Sequence, residues 1–225
     1  MTTVIEYLES FNRKERFFLV ARALGNPRFR LGEEFRKELG YRFGLQIPEE
    51  DVFVAMDYHF DWIQTSLYLY GHAQGDGAVY SNRGDDGGKL ITGNQEDIDL
   101  IVAFASNETT HIMLIEAKAE TGWGNLQMKS KANRLGRIFG DGKRGDAVPN
   151  VLPHFALMSP RRHKRLLTTS WPQWMRPESG EPFWLELPVL PGRRKVTRTD
   201  ASGRPAQSGQ EFTVQFTKKT DLEPA

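Results

Sequence analysis

Two apolar runs around a short polar turn constrain this chain more than any other feature. Ile98, Leu100, Val102 and Phe104 alternate with Asp99, Ile101 and Ala103; after Ser106-Asn107-Glu108-Thr109, the run from His111 to Ala119 carries Ile112, Met113, Leu114 and Ile115. Such a pattern predicts a β-hairpin. With the turn centred between Asn107 and Glu108, facing residues have numbers that sum to 215, and Asp99 and Glu116 satisfy that sum. They are expected opposite each other, with Cβ atoms about 4.5–5.5 Å apart. Lys118 follows two residues after Glu116, so it is expected on the same face.

Two adjacent carboxylates repel each other in a half-buried sheet, and a divalent cation removes that cost. Mg²⁺ takes one or two carboxylates and keeps its other positions for water and phosphate oxygens. A nearby lysine adds positive charge where a phosphate gains negative charge. Asp99, Glu116 and Lys118 together therefore point to metal-assisted hydrolysis of a phosphodiester, with Mg²⁺ or Mn²⁺ as cofactor and Asp99 and Glu116 as its ligands. A Glu-x-Lys triplet alone occurs often by chance and would then be a solvated strand end. The aligned Asp99 and the apolar Met113-Leu114-Ile115 weigh against that.

Ile98-Asp99-Leu100-Ile101-Val102, a short turn and Met113-Leu114-Ile115-Glu116-Ala117-Lys118 resemble the PD-(D/E)xK nuclease superfamily in order, spacing and apolar flanks. Isoleucine stands before Asp99 where the family name has proline. The resemblance spans about residues 30–160. It implies an α/β fold with a restriction-endonuclease-like αβββαβ core, a mixed sheet flanked by helices, Mg²⁺ dependence and nucleic-acid cleavage. It also offers two further site residues. Many members carry a glutamate on the helix before the core strands; Glu34 is the candidate here and Glu33 the second choice, with an exposed helix charge as the plain alternative. Some members place a glutamine on the helix after the motif, where Gln127 stands. Their frequent tyrosine four positions on is Lys131 here.

The remaining sequence is read as one unit over 1–225, with N-terminal helices and a C-terminal β extension over about 183–220. Helices are expected over 4–24, with Leu19 on the apolar face, over about 31–39 with Gly40 as stop, over 57–70, and over 124–139 with Leu126, Leu135, Ile138 and Phe139 buried. Residues 71–93 hold seven glycines and few apolar groups, so a mobile loop or an irregular hairpin is expected. Val151–Met158 and Phe183–Val189 read as strands, Ser159-Pro160 as a helix start, and Lys195–Thr199 with Phe212–Phe216 as a late hairpin. Asp57, His59 and Asp61 form a weaker metal alternative.

Composition narrows the function. The absence of cysteine excludes disulfides and thiolate metal sites. No stretch reaches the roughly 20 apolar residues of a membrane span and the N-terminus lacks a signal-peptide run, so a cytoplasmic protein without membrane contact is expected. Residues 1–120 carry 12 Lys/Arg against 20 Asp/Glu, a net of −8, and residues 121–225 carry 18 against 9, a net of +9. That split suits a nucleic-acid enzyme with separate metal and phosphate faces, and equally two halves that attract each other. Lys129, Lys131, Arg134, Arg161, Arg162 and Arg165 are the candidate contacts to a nucleic-acid backbone. The leading expectation is a metal-dependent endonuclease with DNA as partner, and a homodimer is compatible with it. The alternative is a non-catalytic nucleic-acid or protein-binding module that keeps the nuclease fold.

Overall fold

The computed structural model describes residues 2–11, 15–26, 29–75, 77–84, 87–119, 122–141, 148–162, 166–177, 180–188 and 194–216. The element order is α1 (Val4–Ser10), α2 (Glu15–Ala23), α3 (Glu33–Phe43), β1 (Phe53–His59), α4 (Phe60–His72), β2 (Asp97–Ser106), β3 (Thr109–Ala117), α5 (Asn125–Phe139), β4 (Val151–Ser159), a 3₁₀ turn (Gln173–Met175), β5 (Phe183–Glu186), β6 (Arg194–Thr199) and β7 (Glu211–Phe216). The first five strands form one sheet in chain order. β1, β2 and β3 are antiparallel neighbours, and β3, β4 and β5 are parallel. The result is a mixed α/β architecture with a central five-stranded sheet, helices on both faces and a separate C-terminal hairpin.

The β2–β3 hairpin has the expected register. Leu100 faces Ile115, Ile101 faces Leu114 and Ser106 faces Thr109, each pair summing to 215. Asn107 and Glu108 form the two-residue turn with φ of 49° and 63°. Two positive φ values give the turn whose twist matches that of the strands. β3 is the middle strand of five, and His111 through Glu116 are all buried. A strand covered on both faces needs a continuous apolar run, which Ile112-Met113-Leu114-Ile115 supplies.

Two apolar layers sandwich this sheet. On one face α1, α4 and α5 place Leu8, Ile63, Leu67, Met128, Ala132 and Leu135 against Ile101, Ala103, Ile112 and Leu114. On the other, α3 places Leu39, with Phe35 and Phe43 beside it, against Val102, Phe104, Met113 and Ile115. The two sets alternate along β2 and β3, as the two-residue period of a strand requires.

Several expectations are corrected. The N-terminal helix is two helices, because α1 ends at Ser10 and Phe11 is extended; Leu19 is 63% exposed on α2. α3 passes through Gly40 and stops at Gly44, which is left-handed at φ 65°. Gly40 is needed for close approach instead: a Cβ there would lie 2.5 Å from the Leu45 carbonyl oxygen. Residues 53–59 are strand β1, and the helix expected from 57 starts at Phe60. Leu126 is 87% exposed. Arg161, Arg162 and residues 166–170 are not helical, while residues 163–165 lie outside the described residues. The glycine-rich stretch takes the irregular-hairpin form: Arg83 bridges Lys89, and Asn82 exchanges hydrogen bonds with the backbone of Ile91. Among the described residues, no helix is long and apolar enough to cross a membrane.

The turn geometry yields a first prediction. A left-handed conformation costs a non-glycine residue about 1–2 kcal/mol, partly offset by the greater freedom of glycine when unfolded. Glu108→Gly should therefore stabilise the protein by about 0.5–1 kcal/mol, read as a higher urea midpoint at unchanged slope. A lower midpoint would show that the Glu108 side chain contributes a contact worth more than its strain.

Candidate functional site

β2 starts and β3 ends at the same edge of the sheet, and that edge gathers Asp99, Glu116 and Lys118. The ladder between the strands ends at Leu100–Ile115, one pair short of Asp99 and Glu116. There the Asp99 side chain replaces a backbone partner: its Oδ2 accepts the Ala117 N–H at 2.6 Å. The Lys118 N–H turns to β4 and donates to the Met158 carbonyl oxygen at 2.9 Å. The three motif residues are thus fixed by the backbone at the point where the hairpin hands over to the parallel half of the sheet.

Glu116 is fully buried, lying on the middle strand beneath α5. Its Oε2 accepts a hydrogen bond from Lys131 Nζ at 2.6 Å. The same ammonium donates to the Asp97 carbonyl oxygen at 2.7 Å. Lys118 Nζ stands 3.6 Å from Oε1, close enough for charge attraction but beyond hydrogen-bond reach. Oε1 is consequently a buried carboxylate oxygen with no hydrogen-bond donor. Burial pushes the Glu116 carboxyl above its ordinary value; Lys131 pulls it down, Asp99 pushes it further up, and Lys118 pulls it down again.

An orphaned carboxylate oxygen beside a second carboxylate suits a hard divalent cation, whose preferred ligands are oxygens. Asp99 and Glu116 are the residues that could hold one. Among the described residues no group of three or more His, Asp or Glu is placed to hold a metal ion. Asp57 lies between Met56 and Tyr58, which face Leu100 and Ile98, so its backbone is opposite Asp99. Its φ of 48° is an irregularity within β1, three residues before the start of α4.

The other candidates fall in different places. Glu34 is exposed on α3, across the sheet from the face that Lys131 and Glu116 share. Its neighbour Glu33 lines a cavity of about 950 Å³ with Phe53, Val54 and Ala105. Ala105 is six residues along β2 from Asp99, or about 20 Å at strand rise. The structure does not bring Glu33 or Glu34 to Asp99. Gln127 is exposed in the first turn of α5, one helical turn before Lys131.

The basic residues are also redistributed. Lys131 and Arg134 are buried, where surface contacts were expected. Lys131 serves Glu116. Arg134 donates to Asp61 at 2.7 Å and to the Leu90 carbonyl oxygen, and Asp61 also accepts the N–H groups of Thr92 and Gly93. This arrangement binds the end of the glycine-rich stretch to α4 and α5, and it gives Asp61 a structural task in place of the weaker metal reading. Lys129 is exposed and about 200° around α5 from Lys131, so it faces away from Glu116. Arg161 and Arg162 are exposed just beyond β4, whose Leu157 and Met158 face Glu116 and Ala117; they lie at the same sheet edge as the motif. Arg165 lies outside the described residues.

Sequence reasoning missed Lys131 as a partner of Glu116, although a signal existed. Met128, Lys131, Ala132 and Leu135 recur at helical spacing, which places Lys131 on the buried stripe of α5. Comparison with family models, curated proteins and solved structures gives no match, and the site is read from its own chemistry.

The ion pair carries a stability prediction. Lys131→Met leaves Glu116 buried with its hydrogen-bonded cation gone, a loss of about 3–5 kcal/mol near pH 7. A carboxyl whose pKa is raised by folding weakens the fold as it ionises. That penalty is absent below its unfolded value, near 4.3, and grows as pH rises through the folded value. Urea unfolding in EDTA should therefore show a large deficit for Lys131→Met at pH 7 that shrinks toward pH 4. An equal deficit at both pH values would mean that Lys131 contributes packing alone.

Proposed function

We propose that this protein is a metal-dependent nuclease that hydrolyses phosphodiester bonds of nucleic acid, with DNA as the first substrate to test. The observation that carries the reading is the buried Glu116 Oε1, without a donor, beside Asp99 and Lys118. The order α3-β1-β2-β3-α5-β4, with α4 inserted after β1, supports it, because it follows the αβββαβ order of restriction-endonuclease-like cores.

In this reading Asp99 and Glu116 would hold a Mg²⁺ or Mn²⁺ ion, which would supply Lewis-acid chemistry to a bound phosphate. Asp99 is held by the Ala117 N–H and Glu116 by Lys131, so neither carboxylate has to be ordered when the substrate arrives. Lys118 is partly exposed and within attraction of Glu116, a position from which its ammonium stabilises negative charge developing on a phosphate. Arg161 and Arg162, exposed at the same edge, position the nucleic-acid backbone without reading its sequence. Gln127 orients water or phosphate from the first turn of α5.

One observation favours a second reading. Lys131 already supplies Glu116 with an internal cation, as a binding module that retains the fold without cleaving would need. Cleavage and metal binding separate the two. The parent should cut labelled single- and double-stranded oligonucleotides with Mg²⁺ or Mn²⁺ and stop in EDTA. Glu116→Gln should lose metal binding by calorimetry together with cleavage. Lys118→Ala should keep the metal and lose at least about 10²-fold in rate. Oligonucleotide binding without cleavage under any divalent ion would establish the second reading. Arg161→Ala with Arg162→Ala should weaken duplex binding on every sequence alike and flatten its log–log salt dependence by about 0.9 per lost phosphate contact. An unchanged slope would remove these arginines from the interface.

A further inference from the structure

The C-terminal hairpin has an open apolar face. β6 and β7 pair Arg194 with Phe216, Val196 with Val214 and Arg198 with Phe212, so these six residues share one face. Val196 is 66% exposed, Phe212 69%, Val214 49% and Phe216 65%. The opposite face carries Lys195, Gln215 and Glu211, which are exposed, Thr197 and Thr213, which are half-buried, and Thr199, which is buried. A two-sided antiparallel ribbon ordinarily buries its apolar face and leaves the polar one in water. Here two phenyl rings and two valines stand open on one face, an apolar patch of the kind that marks an interaction surface.

The chemistry of the open face selects that partner. Arg194 and Arg198 alternate with the apolar side chains, and the Arg194 guanidinium lies 4.8 Å from the centre of the Phe216 ring. Residues 193–219 contain seven Lys/Arg against two Asp/Glu. A second copy docking face to face would bury four arginines with no anion from the identical face, a charge that phosphates neutralise. Phenyl rings have no donor or acceptor with which to read the edge of a base pair, but they stack on the flat face of an unpaired base. We propose that the β6–β7 ribbon binds a single-stranded segment of nucleic acid, with bases stacked on Phe212 and Phe216 and phosphates neutralised by Arg194 and Arg198. The identity of the partner rests on the nuclease reading above, and the binding itself is tested apart from cleavage.

The test measures binding of the full chain to fluorescein-labelled dT15 in EDTA, where no metal-dependent cleavage proceeds. Phe212→Ala and Phe216→Ala should each weaken binding by about fivefold to hundredfold, the range for loss of one stacked base. Phe216→Trp should retain affinity, and its fluorescence should be quenched by dT15. Both alanine variants should bind an abasic strand of equal length as the parent does, because that strand offers no base to stack. Arg194→Ala should weaken dT15 and the abasic strand alike and flatten the salt dependence. Unchanged dT15 affinity in both alanine variants overturns the proposal. So does a parent that sediments as a dimer dissociated by these substitutions with no loss of dT15 binding, or one that binds phosphatidylserine vesicles and not dT15. Absence of cleavage by the parent would overturn the nuclease reading and leave the binding result intact, while absence of dT15 binding by the ribbon would leave the cleavage result intact.

Discussion

A carboxylate on the middle strand and an ammonium from the helix above it hold the centre of this protein together. Burying the charge of Glu116 or of Lys131 alone would cost several kcal/mol. Together they join β3 to α5, and through the Asp97 carbonyl oxygen they reach the start of β2. Such a pair stabilises less than a well-packed apolar pair would. The pair therefore ties the residues at positions 116 and 131 to each other more than it adds to folding energy.

The same economy governs Arg134. Its guanidinium meets Asp61 and the backbone at Leu90, so α4, α5 and the close of the glycine-rich stretch share one buried cation. That stretch has too few apolar groups to pack by itself. Polar ties to Asp61 and Arg134 do for its end what a hydrophobic cluster does elsewhere in the fold.

The hairpin was legible because its information is local. Strand alternation and a two-residue turn set the register between them, and the sum of residue numbers holds as far as Leu100 and Ile115, one pair before Asp99 and Glu116, without any knowledge of the tertiary fold. β1 was not legible for the opposite reason. Phe53-Val54-Ala55 is a short apolar run without alternation, and it leads directly into the aromatic residues of α4, so periodicity does not mark the junction. Lys131 and Arg134 were read as surface cations because burial of a charge depends on a partner distant in sequence, here Glu116 and Asp61. Glu34 was misplaced in a similar way: the sequence locates α3, whereas the side of the sheet it covers is set by packing of Phe35, Leu39 and Phe43.

The two-residue turn at Asn107 and Glu108 has a consequence for how this chain can vary. Strands tolerate lengthened loops when nothing beyond the loop depends on alignment. Here one inserted or deleted residue would advance β3 by one step against β2 and exchange its two faces. Position 116 would then carry its carboxylate toward α3, and the apolar partner of α3 would turn toward Lys131. The length of a turn at the far end of the hairpin is therefore under the same constraint as the acidic residues themselves. Insertions and deletions are compatible with the stretch between α4 and β2 and not with this turn.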